Sequence, residues 1–319
     1  MRAKYINPFT DFGFKKLFGE EVSKDLLIDF LNGLLPEHHK IKDLQYNRTE
    51  QFGNIKYDRK AVFDIYCTSQ NGDKFIVELQ KAKQNFFKDR SVFYATFPIR
   101  EQADKGEWNF ELSAVYCIGI LDFVFEEDKN SKDYIHTVKL KNQNNKIFYD
   151  KLTFIYIEMP NFNKKEEELD NRFDKWLYFF KNLENFDHVP QRLKDRIFQK
   201  AFEIAEIARF VPAQMDAYEE SLKVYRDLKN VIDYAIQEAT AIATEEAHKK
   251  GMQKGLEQGL EQGIQKGREQ GLEKGREEGI QKGKNDAIIA IGKNMKLMNM
   301  PVSDILKVTG LTIEEINKL

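Results

Sequence analysis

The sequence predicts an α/β fold: a mixed sheet with flanking helices over residues 1–160, a helical extension over 161–247, a tail with glycine every four residues over 248–286, and a C-terminal helical hairpin over 287–319. Three observations predict it. Apolar residues recur at helical spacing before residue 35 and then change to short β-rich runs. After Pro160 the pattern turns amphipathic and helical. From Gly251 to Gly283 a glycine stands at every fourth position without a miss.

The elements follow in order. Residues 11–35 place Phe14, Leu17, Phe18, Leu26, Leu27, Phe30, Leu31 and Leu34 near helical spacing, with a break expected at Gly19 and a stop at Pro36. AVFDIYC (61–67) and KFIVELQ (74–80) read as strands flanking the turn signal SQNGD. A helix is expected from about Lys81 to Lys105, with Phe86, Phe87, Arg90, Phe93, Tyr94 and Phe97 on one face and Pro98 kinking or splitting it. LSAVYCIGILDFVF (112–125) is a nearly continuous apolar run, as in a strand buried on both faces. IHTVKL, NKIFYD and LTFIYIEM read as three further strands, the last ended by Pro160. Helical patterns near 164–184, 190–209 and 213–247 carry no catalytic motif.

Composition narrows the function classes. Apolar residues make up 41% and aromatics 13%, enough for a sizeable core. Charged residues reach 32% yet sum to −2, so any nucleic-acid contact needs a local basic patch. One such patch runs from Lys81 to Lys105, with six Lys/Arg against three Asp/Glu. The N-terminus has no continuous apolar stretch of the secretory kind, and the longest apolar run is too short to cross a bilayer. Cys67 and Cys117 sit in apolar strand-like runs, where a buried thiol is expected and no disulfide is implied. A soluble, cytoplasmic protein without a membrane partner is the expectation.

One constellation carries chemistry. Asp64 and Glu78 each stand in the middle of an apolar strand, where an unpaired carboxylate is costly to bury. Hard divalent cations such as Mg²⁺ take one or two carboxylates, with water and phosphate completing the shell. Register decides whether the two can meet. A two-residue hairpin at Asn71-Gly72 sets Asp64 opposite Leu79 and turns the carboxylates to opposite faces; an odd connection sets Asp64 opposite Glu78. An ordinary hairpin with a solvent-facing side is the other reading of the same residues.

Residues around this pair add to the case. TDFGFKKLFG (10–19), FDIYC with Asp64, VELQ with Glu78 and Gln80, KAKQNFFKDRSVFYATFPIREQ and the glycine tail together resemble the PD-(D/E)XK nuclease superfamily. More narrowly, they are similar to the Rpn family of recombination-promoting nucleases, also described as transposases. The resemblance implies a PD-(D/E)XK-like αβββαβ core and Mg²⁺-dependent endonuclease action on DNA. It implies that Asp64 and Glu78 are the metal ligands and that Gln80 belongs to the catalytic set. Gln80 stands where the superfamily has a lysine, so the positive charge must come from elsewhere. Lys60, Lys81 and Lys83 are the candidates, and Lys60 shares the face of Asp64 if the strand is regular.

Supporting residues keep two readings each. Asp11 and Lys15 form an i,i+4 ion pair or join the site. Glu50 is a further acidic ligand or a surface residue. Arg90 clamps a carboxylate or phosphate, or lies as a stem across aromatics. The tail is a helix whose small residues line a self-association seam, or a charged spacer. On a helix, each glycine costs about 0.8–1 kcal/mol against alanine, and a period of four on one seam requires a right-handed supercoil. Gly310 ends a helix, and Thr312 with Glu315 makes a capping box for the last one. The acidic last helix reads as a packing cap rather than a DNA reader. The leading expectation is a DNA endonuclease that self-associates through its tail; an inactive oligomerising interaction module is the alternative.

Overall fold

The computed structural model describes residues 3–36, 39–51, 61–103, 109–128 and 131–319. Helix α1 (Asp11–Phe18) starts where the Thr10 side chain accepts the Gly13 N–H, and it ends at Gly19. A 3₁₀ turn (Glu21–Ser23) leads into α2 (Lys24–Leu34), so the expected break at Gly19 is present. Strands β1 (Leu44–Tyr46), β4 (Ile65–Ser69), β5 (Lys74–Gln80), β6 (Val115–Leu121), β7 (Ile135–Lys141) and β8 (Ile147–Glu158) form one sheet in the order β1-β4-β5-β6-β8-β7. Its centre is parallel, β5 to β6 to β8, with antiparallel neighbours on both sides. Helix α3 (Phe87–Arg100) makes the crossover from β5 to β6.

The sheet is covered on both faces, and the alternation in β5 distributes its side chains accordingly. Phe75, Val77 and Leu79 join an apolar cluster with α1, α2, α4 (Arg172–Asn182), α5 (Arg196–Ala205) and the first turns of α6 (Pro212–Leu297). Ile76 joins a smaller cluster with Phe87, Ala95 and Phe97 of α3. Every residue of β6 is buried, as its unbroken apolar run predicts. The chain divides into two compact units, Met1–Asp233 and Tyr234–Leu319. In the second, α7 (Val302–Thr309) and α8 (Ile313–Lys318) flank Gly310, whose φ of 71° is left-handed. The Thr312–Glu315 capping box is formed.

Four sequence expectations are corrected. AVFDIYC is not one strand. Ala61–Val62 forms β3, which pairs with β2 (Glu50–Gln51) in a separate two-stranded sheet, and β4 begins only at Ile65. Ala61 and Phe63 are buried in the same cluster as Tyr66 while Val62 is 52% exposed, so the chain reverses its alternation at Phe63–Asp64. Second, the helix expected from Lys81 starts at Phe87. Phe86 takes a left-handed φ of 59° and is 79% exposed, so it leaves the apolar face. Third, Pro98 does not split that helix, which runs on to Arg100, because the proline falls within its last turn. Fourth, NKIFYD and LTFIYIEM belong to the single strand β8, whose outer half is paired only on the β7 side and is correspondingly exposed.

Candidate metal-binding and active site

The β4–β5 connection sets the site. Pairs Ile65↔Val77 through Thr68↔Lys74 define the register, which continues outward to Asp64 opposite Glu78. At the other end the Ser69 N–H donates to the Asp73 carbonyl (2.8 Å) and the Gly72 N–H to the Ser69 carbonyl (3.0 Å). Three residues, Gln70, Asn71 and Gly72, therefore close the hairpin. Gly72 has a φ of 85°, the left-handed position that three-residue hairpin loops require. The odd connection brings the carboxylates together.

Their contacts are reciprocal. The Asp64 N–H donates to Glu78 Oε1 (3.1 Å), and the Leu79 N–H donates to Asp64 Oδ2 (2.7 Å). Each carboxylate thus takes over a hydrogen bond where the chain bends away at Phe63–Asp64 and the regular ladder ends. Glu78 continues into a chain of polar groups on the α3 side. Gln80 Nε2 donates to Glu78 Oε2 (3.2 Å), and Arg90 Nη2 donates to Gln80 Oε1 (2.6 Å). Arg90 also donates to Gln84 and lies over the rings of Phe87 and Tyr94, at 5.6 and 5.5 Å from their centroids. Arg90 follows neither reading as stated: its guanidinium, not its stem, lies over the aromatics, and it reaches the site through the Gln80 amide rather than by clamping a carboxylate.

Electrostatics mark the pair. Burial, followed by the neighbouring Asp64 charge, pushes the Glu78 carboxyl up to about 8, against the opposing pull of the Asp64 N–H and Arg90. Burial also raises Asp64, while the Leu79 N–H, Lys15 and Lys81 pull it down and Asp11 pushes it up. Two carboxylates packed together in a low-dielectric site favour a bound cation or a retained proton.

The remaining candidates divide. Lys81 Nζ pairs with Asp11 Oδ1 at 2.7 Å. The expected Asp11–Lys15 ion pair is therefore replaced by a longer-range one, because Lys81 leaves the end of β5 beside the start of α1. Among the described residues Lys15 closes no ion pair, and its charge acts on Asp64. Lys83 pairs with Glu126 (2.9 Å) and Lys88 with Glu127, so part of the basic patch is neutralised by the loop after β6. Glu50 is exposed on β2, opposite Val62. Lys60 lies outside the described residues. Among the described residues no third His, Cys, Asp or Glu joins the pair to make a metal-holding group. The donor set still fits a hard cation, since two carboxylates suffice for Mg²⁺ when water and phosphate complete the shell.

Sequence reading missed two contributors. Gly119 lies directly across from Glu78 in the β5–β6 register, where a Cβ would come within 3.2 Å of the Tyr156 ring. A glycine inside the apolar run VYCIGIL is the signal that could have found it. Tyr94 borders Glu78 in a small cavity and follows Arg90 by four residues on α3.

A model of the family described as PD-(D/E)XK nuclease family transposase matches residues 8–235. The chain belongs to that family. Like the family it belongs to, the chain has a mixed sheet with flanking helices, and the matched span contains Asp64, Glu78, Gln80 and Arg90. Comparison with curated proteins and with solved structures gave no match. Among the described residues no helix is long and apolar enough to cross a membrane.

Proposed function

We propose that the chain is a divalent-metal-dependent DNA endonuclease. The observation that carries this reading is the pairing of Asp64 with Glu78 through reciprocal backbone bonds at the strand end, inside a nuclease-family fold. Asp64 and Glu78 would hold the cation, Mg²⁺ being the hard ion such a donor set suits. A cation held by them would supply an activated water as nucleophile and would offset charge developing on phosphate.

The chain's own residues do the rest. Gln80 orients the Glu78 carboxylate through its amide N–H, and Arg90 fixes Gln80 by gripping the amide oxygen. Arg90 thereby supplies, one residue removed, the positive charge that a lysine in place of Gln80 would bring directly. Lys15, whose charge acts on Asp64 and which closes no ion pair among the described residues, draws the phosphodiester toward Asp64, while Lys81 is held by Asp11. The bent entry to β4 leaves Asp64 half-buried and accessible to substrate.

Supercoiled plasmid incubated with the full chain and Mg²⁺ tests the reading. Cleavage is expected, with Asp64→Ala and Glu78→Ala each reducing it by more than about 100-fold, beyond the range of outer-shell substitutions. Activity that survives both substitutions places the chemistry elsewhere.

Promotion of DNA recombination is the biological role that fits such cutting, and two buried free thiols suit a reducing cytoplasm. A second reading, an interaction module that assembles without cutting, is favoured by the exposed aliphatic residues of the tail. Met252, Leu256, Leu260, Ile264, Leu272 and Ile280 are all at least half exposed on α6. A Cβ built on any glycine from Gly251 to Gly283 meets nothing within 4 Å. Self-association of that stripe is compatible with nuclease action, and the plasmid assay separates the two readings.

A further inference from the structure

The parallel strands end at a second opening. Gln80 pairs with Leu121 in the β5–β6 register, and the Asp122 N–H donates to the Gln80 carbonyl (2.9 Å). The same register sets Asp122 beside Lys81, one strand spacing of about 4.8 Å away. By alternation both belong to the α1 face of the sheet, with Leu79, Ile118 and Ile120. Lys81 turns to Asp11, whereas Asp122 accepts the Tyr225 hydroxyl of α6 (3.0 Å).

The first turns of α6 are fastened here by hydroxyls on one helical face. The Tyr218 oxygen accepts the Asn7 N–H (2.9 Å), and the Ser221 hydroxyl accepts the Phe12 N–H of α1 (3.1 Å). With Tyr225 these follow the i, i+3, i+7 spacing of a single stripe. Beside the stripe a cleft of about 440 Å³ opens between α6, α4 and the residues before α1, with Lys181, Arg226 and Lys229 among its lining. Its place is the crevice outside the carboxyl ends of parallel strands, where ligands of open α/β sheets bind.

The three cations differ in what already occupies them. Lys181 donates to the carbonyls of Met159 (3.2 Å) and Phe162 and to Asn163 Oδ1 (3.1 Å). Arg226 lies 3.9 Å from Glu184. Among the described residues Lys229 closes no ion pair, and its charge acts on Asp122. Lys229 is therefore the lining cation with no partner among the described residues to give up to an anion in the cleft, with Arg226 about one helical turn away and Tyr225 capping the Asp122 carboxylate. On the reading of the chain as a DNA endonuclease, we propose that this cleft is a second phosphate subsite, in which Lys229 holds a DNA backbone phosphate flanking the one cut at Asp64 and Glu78.

Fluorescence anisotropy of a labelled duplex with the full chain in EDTA, where no cutting competes, reads this directly. Lys229→Ala should weaken binding about 3- to 10-fold, alike for unrelated sequences, and lower the log–log salt slope by about 0.9. Lys229→Arg should restore both, and Lys250→Ala, on the tail, should change neither. Unchanged affinity and slope for Lys229→Ala in a chain that binds and cuts DNA overturn the subsite alone. Lys229-dependent binding of inorganic phosphate with DNA affinity unmoved assigns the cleft to free phosphate and also overturns it. A wild-type chain that neither binds nor cuts duplex removes the subsite together with the nuclease reading.

Discussion

Arg90 reaches Glu78 by its charge and, through hydrogen bonds, by way of the Gln80 side-chain amide, and that relay makes the site testable one residue at a time. Arg90→Ala leaves Gln80 without its anchor and Glu78 without a nearby positive charge. Cleavage should fall roughly 10- to 100-fold, the range seen when a residue that orients a metal ligand is removed. Arg90→Lys should recover only part of this, since an ammonium cannot hold Gln80 and Gln84 together from one planar group. Full activity in Arg90→Ala would remove the link from the mechanism. The raised Glu78 carboxyl has a consequence for stability. Without metal, the folded chain holds a proton on Glu78 up to about pH 8, whereas an unfolded glutamate releases it near 4.5. Between those values the folded state binds more protons, so this contribution to stability is full below pH 4.5 and is lost as pH rises toward 8. Melting temperatures in EDTA should decline across that window, and Glu78→Gln should flatten the decline; parallel curves for the two proteins would contradict it. At this scale the sequence was partly legible. Two carboxylates inside apolar strands stand out against their surroundings, as does Gln80 in a lysine's place. The partner of Asp11 was not legible, because Lys81 is seventy positions away and the nearer Lys15 satisfied a local rule.

Among the elements, the β4–β5 hairpin is the one whose geometry the site depends on. Gly72 adopts a φ of 85°, and a Cβ there would stand 3.0 Å from the Ser113 hydroxyl. Gly72→Val should destabilise the chain by about 1–2 kcal/mol, the cost of forcing an ordinary residue into the left-handed region. It should also reduce cleavage more than that loss of stability accounts for, because the connection also fixes the alignment of Asp64 with Glu78. Urea titration and the plasmid assay on one preparation separate the effects; a stability loss with normal cutting at equal folded fraction would show that the alignment survives without the glycine. The register could be posed from the sequence as odd or even, but not decided, since SQNGD supports either turn. The bend at Phe63–Asp64 escaped detection for a similar reason. AVFDIYC has strand composition throughout, and only the tertiary burial of Ala61, Phe63 and Tyr66 on one side reveals the reversal. Phe86 likewise fits the helical period of α3, yet it takes a left-handed φ, and the chain from Lys81, which pairs with Asp11, becomes helical only at Phe87.

For the molecule as a whole, the first compact unit reaches well past the sheet, to Asp233, because α4, α5 and the start of α6 cover one sheet face. Beyond it the glycine repeat was plain in the sequence, while its state as helix was open, since nine glycines oppose helix formation and the aliphatic stripe favours it. The structure carries α6 through the whole repeat to Leu297. A helix written in four-residue words that each open with glycine has a property that neither its length nor its composition conveys: whole words can be removed with the glycine succession intact and only about 40° of turn. Deleting one whole word shortens the helix by about 6 Å and leaves every later glycine and aliphatic residue in the same succession. Deleting a single residue turns everything beyond it by about 100° and cuts the stripe into two that no longer line up. If the stripe joins copies of the chain, sedimentation should find the four-residue deletion still assembled and the one-residue deletion dissociated, with the same amino acids otherwise present in both.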